Sequence, residues 1–483
     1  MFDAIISSFV EITTVIGNFL WGPWTQIILI GTGLYFTVGT RFYQFRKFGY
    51  IMKNTLGSMF KKSEASTNRL TSVQAVMSAL SGTIGMGNIA GTASAIAVGG
   101  PGAVFWMWVF AFTGMSLKMA EVTLAVHYRD VDANGKTYGG PMYYMKKALN
   151  SKLLACIFCF GLFFNCLMMS ATMQTHTIAE SLNASFNINP YITAIVVCLL
   201  TFLAVQGGIK IVGKTCEVLT PVMTIVWVVT ALIVLFSNFT HIPRVFELII
   251  VHAFSPTAAV GGFAGSTIAQ AIKQGAARGT GSNDAGVGVA PCIHATAEVD
   301  HPFRQGLWGS TEVFVDTIIV CSMTAFIILA PVDVWSSGAT GVTLTLAGLQ
   351  SVLPTTLADI VLNLCVAAFC FSTVLVFFVY YETASVYLFG QKFFKVVKWL
   401  YFIVPILFAG YANVDKLWGG FANIASGLCL LPNLVALILL SRPYFALIKD
   451  FEGEQKYKTA YTDKTKDYIK VHPEYKKSIS EQK

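Results

Sequence analysis

The sequence predicts an all-α polytopic membrane protein with about eleven transmembrane helices: two five-helix repeats of opposite orientation, two broken helices, and one extra N-terminal helix. Three observations predict it. The composition suits lipid, apolar runs recur at bilayer length, and basic residues crowd into alternate loops.

Of the 483 residues, 55% are hydrophobic and 12% charged, with a mean hydropathy of +0.63. Soluble domains carry about 25% charged residues, so most of this surface is built to face lipid. The net charge of +8 does not imply nucleic acid, because the basic residues fall in short loops and a tail. Most of the ten cysteines sit inside apolar runs and read as small hydrophobes. Cys156 and Cys159 form a CxxC with no matching pair. The first 40 residues hold no Lys or Arg, so no cleavable signal peptide is expected.

A helix needs about 20 apolar residues to cross a bilayer. Eleven runs meet that need: A 21–40, B 72–98, C 102–127, D 152–180, E 190–209, F 216–237, G 258–278, H 304–330, I 357–389, J 396–412 and K 418–440. The positive-inside rule tests the count. Loops A–B, C–D, E–F, G–H and I–J and the tail hold 30 of the 33 basic residues, among them Lys273 and Arg278 around loop G–H. The opposite loops hold Arg244 and Lys416, and Lys118 lies inside C. The N-terminus is therefore expected outside and the C-terminus in the cytoplasm, in a multi-pass cell-membrane protein. Residues 1–70 give the first helix and a basic loop, 71–441 the core (repeats 71–238 and 258–441), and 442–483 a cytoplasmic tail. The polar stretch from 449 is expected to be disordered.

Segments B and G stand out. B carries Ser81-Gly-Thr-Ile-Gly85-Met-Gly87-Asn88-Ile-Ala-Gly91, and G carries Gly261-Gly-Phe-Ala-Gly265-Ser-Thr267. Each helical glycine costs about 1 kcal/mol against alanine, so both stretches are expected to unwind at mid-membrane. B and G each open a run of five segments, and five is odd, so the second run lies inverted. Interrupted helices at matching places in inverted halves point to a midplane binding site. Close packing through Gly87-xxx-Gly91 is the competing explanation.

Such breaks free peptide dipoles. Half-helix N-termini suit a carboxylate, and free carbonyls suit a cation. Ser372 and Thr373 are adjacent hydroxyls in an apolar run. They are candidates to complete a sodium site with carbonyls of Ser81 and Ile84, unless each hydroxyl bonds back to its own helix. Gln174 offers an amide inside the bundle. The intramembrane acids Glu121, Glu180, Glu217, Glu312, Asp316 and Glu382 are functional candidates by default, although Lys118 and Glu121, spaced i, i+3, read as a pair. No phosphate-binding loop or HExxH is present, and the seven histidines are scattered. An enzyme is therefore not expected, and a passive channel is the remaining alternative to a carrier.

Several motifs recur in order. Gly99-Gly-Pro-Gly-Ala-Val-Phe-Trp-Met-Trp-Val-Phe-Ala-Phe-Thr-Gly114 follows Gly87-Asn-Ile-Ala-Gly91, and Ala277-Arg-Gly279, Ser282-Asn-Asp-Ala-Gly286, His301–Gly309 and Glu312–Thr317 come after. From about residue 20 to 445 the chain resembles the alanine or glycine:cation symporter family, also called the sodium:alanine symporters. The resemblance implies a leucine-transporter-type fold and sodium-driven uptake of a small neutral amino acid by alternating access. Glutamine symport and proton coupling are the alternatives. It implies that Thr83, Met86, Gly87, Asn88, Gln174, Ala269, Ile272, Thr373 and Phe377 line the amino-acid site. Ser81, Ile84, Phe369, Ser372 and Thr373 would hold sodium. Met86 stands where threonine is usual, Val376-Phe-Phe378 where Gly-Trp-Ser is usual, and Ala269 where methionine is common. These departures bear on cavity size and so on the substrate. No cofactor is expected beyond the coupling ion. The expected partners are the amino acid, sodium and lipid, without nucleic acid.

Overall fold

The computed structural model describes residues 2–59, 69–131, 136–411 and 414–454, which are overwhelmingly helical. Lys61, Lys62 and the tail beyond 454 lie outside the described residues.

In chain order the main helices are α1 (Phe2–Leu20), α2 (Pro23–Gly39), α3 (Ser72–Thr83), α4 (Thr92–Gly99), α5 (Gly102–His127), α6 (Lys152–Phe186), α7 (Pro190–Gln206), α8 (Gly208–Ser237), α9 (Ile242–Phe254), α10 (Ile268–Asn283), α11 (Pro291–His294), α12 (Pro302–Leu329), α13 (Gly341–Gln350), α14 (Thr355–Val397), α15 (Leu400–Phe408), α16 (Val414–Leu439) and α17 (Ser441–Glu454). Wider π turns interrupt the ladder at Gly87–Gly91 before α4, at Cys166–Gln174 in α6 and at Phe314–Cys321 in α12. Such turns recur at functional sites.

The lipid face is plain on α8. Val218, Val222, Ile225, Val229 and Ile233 are exposed at helical spacing, a stripe that water would not tolerate but acyl chains match. An open apolar groove of about 960 Å³ runs between α6, α7, α8 and α14, and none of the candidate site residues lines it.

Both broken helices begin alike. Thr71 accepts from Gln74 N at 3.1 Å while Gln74 accepts from Thr71 N at 3.2 Å, a capping box. Thr267 and Gln270 repeat the same exchange at 3.2 and 2.8 Å. Each box satisfies orphan N–H groups of the first turn. From there α3 runs 12 residues and α10 runs 16, about 18 and 24 Å at 1.5 Å per residue. Neither crosses a hydrocarbon core of about 30 Å, so each ends within it.

The second break is therefore not where glycine density places it. Residues 257–266 form a tight hairpin, with Thr257 and Ser266 exchanging backbone hydrogen bonds at 2.9 and 2.8 Å and Val260 paired with Phe263. Gly261 (φ 57°) and Gly265 (φ 87°) supply its turns. The hairpin precedes the capping box, so its glycines serve a turn and not a mid-membrane interruption. The interruption follows Asn283: Asp284 (φ 53°), Gly286 (φ 91°) and Gly288 (φ 84°) carry the chain through left-handed geometry before α11. Lys273 and Arg278 consequently lie on α10, with Arg278 beside Gly91. The predicted segment G already held both, and the helix now continues past them to Asn283.

Other elements exceed expectation. α1 precedes the first predicted span. The tail opens as helix α17, where Tyr444 packs edge-on to Phe36 at 5.4 Å and Phe451 meets Phe303 at 5.2 Å. α5 packs along α10 and α12, and its first residue shows how close the helices approach. A Cβ on Gly102 would sit 2.1 Å from the His252 carbonyl oxygen. We expect Gly102→Ala to cost about 1–3 kcal/mol by overpacking, read as a lowered melting temperature of the detergent-purified protein. An unchanged melting curve would mean that α5 and α9 do not meet as described.

Candidate functional site

The first break begins where α3 ends. Ile84 still donates to Leu80 O at 2.7 Å, but its ψ of 96° is extended and turns the chain away. The N–H groups released there find side chains. Gly85 N donates to Asn88 Oδ1 at 2.9 Å and Met86 N to Gln174 Oε1 at 3.3 Å.

The carbonyls released there meet α14. Thr373 Oγ1 lies 3.0 Å from Ser81 O, 3.4 Å from Ile84 O and 2.9 Å from Phe369 O. Ser372 Oγ lies 3.4 Å from Ser81 O and 2.9 Å from Phe369 O. A hydroxyl has one proton and two lone pairs, so two hydroxyl protons face three carbonyls. The back-bonds and the cross-helix contacts are thus both present, and the cluster holds a surplus of acceptors. Five oxygens at one buried point suit a hard cation.

Asn88 is fully buried, and its amide is engaged on every side. Oδ1 holds Gly85 N, and Nδ2 reaches Asp316 Oδ1 at 2.7 Å and Ser282 Oγ at 2.9 Å. Ser282 Oγ also donates to Asp316 Oδ2 at 2.5 Å, as does Thr317 at 2.9 Å. Through Asn88 the first break is tied to the end of α10 and to α12.

The second break is lined differently. Lys118 Nζ donates to Asn283 O, the last carbonyl of α10, at 2.9 Å. It pairs with Glu312 at 3.4 Å, both side chains fully buried. His294 Nε2 lies 2.9 Å from Glu312 Oε2, and Gln305 Nε2 lies 2.9 Å from His294 Nδ1. Asn433 Nδ2 donates to Gly286 O at 2.8 Å and to Glu121 Oε1 at 2.6 Å. The expected i, i+3 pairing of Lys118 with Glu121 gives way to these longer-range partners, because the open carbonyl of Asn283 draws the ammonium across the helix interface. Asp284, in the unwound segment, carries a carboxylate with no hydrogen bond or ion pair among the described residues.

Ser81, Ile84, Gln174, Phe369, Ser372, Thr373 and the turn Met86–Asn88 therefore come together. Thr83 is buried and its hydroxyl turns back towards Ala79 and Leu80. Phe377 lies one turn beyond Thr373, edge-on to Tyr380 at 5.0 Å. Ala269 and Ile272 are not brought in. They sit near the start of α10, roughly 17 Å or more from its end along the helix. Among the other acids, Glu217 accepts from Gln74 and Glu382 pairs with Lys136. Glu180 lies 3.9 Å from His176 with its side chain 69% exposed. Asp284 and the partners of Lys118 went unread in the sequence, although Asn283-Asp-Ala-Gly286-Val-Gly288 is a turn signal.

The sodium:alanine symporter family model matches residues 6–466. The sodium/alanine symporter AgcS of Methanococcus maripaludis is 35% identical over 455 residues, 93% of this chain and 98% of that one. YflA of Bacillus subtilis, an uncharacterized transporter, is 38% identical over 93% of this chain and 95% of its own. The probable sodium/glutamine symporter GlnT of the same organism is 33% identical over 92% and 91%. Among solved structures, MhsT in complex with L-phenylalanine superposes with a TM-score of 0.54 at 12% identity, covering 78% of this chain and 90% of that one. A manganese transporter of Eremococcus coleocola gives 0.51 at 11% identity, covering 85% and 92%. These structures share the leucine-transporter-type fold.

The buried ion pair at the second break makes a direct test. Lys118→Met strands the Glu312 carboxylate and should cost about 3–5 kcal/mol. Adding Glu312→Gln removes the stranded charge and should recover most of that loss in thermal melts. Simply additive losses would show that the two groups are not coupled.

Proposed function

Because the chain belongs to the sodium:alanine symporter family, we propose that it imports a small neutral amino acid, alanine or glycine, together with sodium by alternating access. Membership makes it a membrane transporter and not an enzyme. The observation that carries the finer reading is the acceptor surplus at the first break.

In this reading sodium binds Ser81 O, Ile84 O, Phe369 O, Ser372 Oγ and Thr373 Oγ1. The hydroxyls turn their lone pairs inward when the ion arrives and return their protons to the carbonyls when it leaves. The ion then bridges α3 to α14 across an interface otherwise held by neutral contacts. The amino acid lies against the adjacent turn. The start of the Gly87–Gly99 half-helix offers positive dipole to its carboxylate, and Gln174 offers an amide. Asn88 shapes this turn, its own amide being occupied.

Crowding favours a small side chain. A Cβ on Gly85 would lie 2.8 Å from Thr373 Oγ1 and 3.1 Å from Gln174 Nε2, and Met86 stands half-buried beside it. This supports alanine or glycine over glutamine, although relatives named for both match at similar identity. The basic loops support a cytoplasmic C-terminus and an N-terminus outside.

Purified protein in liposomes should accumulate labelled alanine when sodium is outside, and much less with choline. Equal uptake in both would reject sodium coupling. Thr373→Ala removes one ion ligand. A bond to a charged group contributes about 1.5–3 kcal/mol, so the sodium concentration for half-maximal uptake should rise roughly 10- to 100-fold. An unchanged sodium requirement would leave Thr373 as a helix back-bonder only.

A further inference from the structure

One carboxylate remains without a role. Asp284 stands in the unwound segment after α10 with φ 53°. Neither carboxylate oxygen has a hydrogen-bond or ion-pair partner among the described residues. Asp316, by contrast, accepts from Asn88, Ser282 and Thr317. The charged neighbours of Asp284 are Lys118 on α5 and Glu312 and Asp316 on α12. Gly281 and Ser282, just before it in the chain, lie against Gly87 of the first break, so Asp284 stands next to both breaks. The nearby ammonium of Lys118 is engaged by Asn283 O and Glu312.

The group is also reachable. One stripe of α10 is at least partly exposed, through Gln270, Lys273, Gln274, Ala277 and Gly281, and it ends on Asp284, which is itself partly exposed, while Ala271, Gly275, Ala276, Gly279 and Thr280 on the other faces are buried. A stripe that carries two glutamines and a lysine faces water and not lipid. It leads from the start of α10 to the break.

We propose that Asp284 is the anchor for the α-ammonium group of the transported amino acid. This rests on the symport reading and adds the partner for the substrate's positive charge. Ammonium fits better than a second sodium ion. Sodium needs several converging oxygens, and four backbone oxygens around Asp284 are already engaged. Asn283 O is held by Lys118, Gly286 O by Asn433, Asp284 O by Val287 N at 3.1 Å, and Thr280 O by Asp284 N at 2.8 Å. A single free carboxylate matches a group with three donors. The zwitterion would then lie between the breaks, carboxylate towards the Gly87 end and ammonium on Asp284.

The experiment compares wild type, Asp284→Asn and Asp284→Glu in sodium-driven alanine uptake, with lactate as the competitor that has a hydroxyl in place of the ammonium. Sodium binding is followed separately by tryptophan fluorescence without alanine. We expect Asp284→Asn to raise the alanine half-saturation at least tenfold at saturating sodium, with sodium binding unchanged. Its preference for alanine over lactate should shrink. Asp284→Glu keeps the charge and should fall between the two, which keeps the test open if the asparagine variant does not fold. Wild-type alanine affinity in either variant overturns the proposal. So does a loss of sodium cooperativity with alanine affinity restored at high sodium, which would mark a second sodium site. If wild type shows no sodium-driven alanine uptake, the symport reading fails first, and the two failures stay distinct.

Discussion

The structure depends on one constraint: peptide groups left open inside a membrane must find partners within the protein. Two helices stop partway across, and each leaves carbonyls facing the interior. The protein answers in opposite ways. At the second break it supplies resident donors, the Lys118 ammonium on Asn283 O and the Asn433 amide on Gly286 O. At the first break it supplies two hydroxyls whose protons Ser81 O and Ile84 O must share with Phe369 O of α14. The open carbonyls of one end are met by resident donors, and in the proposed reading those of the other are completed by a mobile cation. The proposed ion site follows from that asymmetry in donor count.

The same inventory separates what is fixed from what is exchangeable. The helices on either side of the breaks are joined by buried charge and dense hydrogen bonding: Asn88 to Asp316 and Ser282, Lys118 to Glu312, His294 to Glu312. Breaking a buried ion pair costs about 3–5 kcal/mol. Contacts from this unit to α6, α8, α14 and α16 are mostly neutral: Thr373 to Ser81 O, Gln174 to Met86 N, Ser81 to Thr220, Asn433 to Gly286 O, with single carboxylate contacts at Gln74–Glu217 and Asn433–Glu121. Such bonds contribute about 0.5–1.5 kcal/mol each. In the proposed cycle the interlocked helices move as one body, and the neutral contacts are exchanged.

Sequence alone revealed much of this and missed a definite part. The segment predicted at 102–127 is α5 as found, because its apolar run is bounded by Gly100-Pro101 and by polar Tyr128-Arg129. The first break was legible because glycines flank Asn88 between two apolar halves. The oxygens of Ser81, Ile84, Ser372 and Thr373 were legible because hydroxyls in an apolar run need carbonyls. The second break was misplaced because glycine density does not distinguish a hairpin from an unwound helix. The capping box Thr267-Ile-Ala-Gln270 repeats the spacing of Thr71-Ser-Val-Gln74 and fixes the true start. Shifting the helix to that start moves its end to Asn283, which is how Asp284 comes to stand next to the breaks and Ala269 leaves them. The choice of Glu312 over Glu121 by Lys118 is a matter of packing between helices, to which spacing within one helix is blind.

In the proposed site, coupling between ion and substrate follows from how few atoms separate their binding groups. The Ile84 carbonyl faces Thr373, while the next two N–H groups, of Gly85 and Met86, face Asn88 and Gln174. A peptide plane is rigid, so an ion that pins the Ile84 carbonyl also pins the Gly85 N–H on the same plane. Without the ion, only side-chain amides hold this turn, and an amino acid seated on it must order it at its own expense. An ion bound there would raise affinity for the substrate by removing that cost, and by linkage the substrate would raise affinity for the ion by the same factor. Gly85 permits the arrangement, since any side chain there would occupy the gap between Thr373 and Gln174. The glycines of this segment therefore do two things: they open the helix, and they keep the opened turn bare enough for ion and substrate to share it.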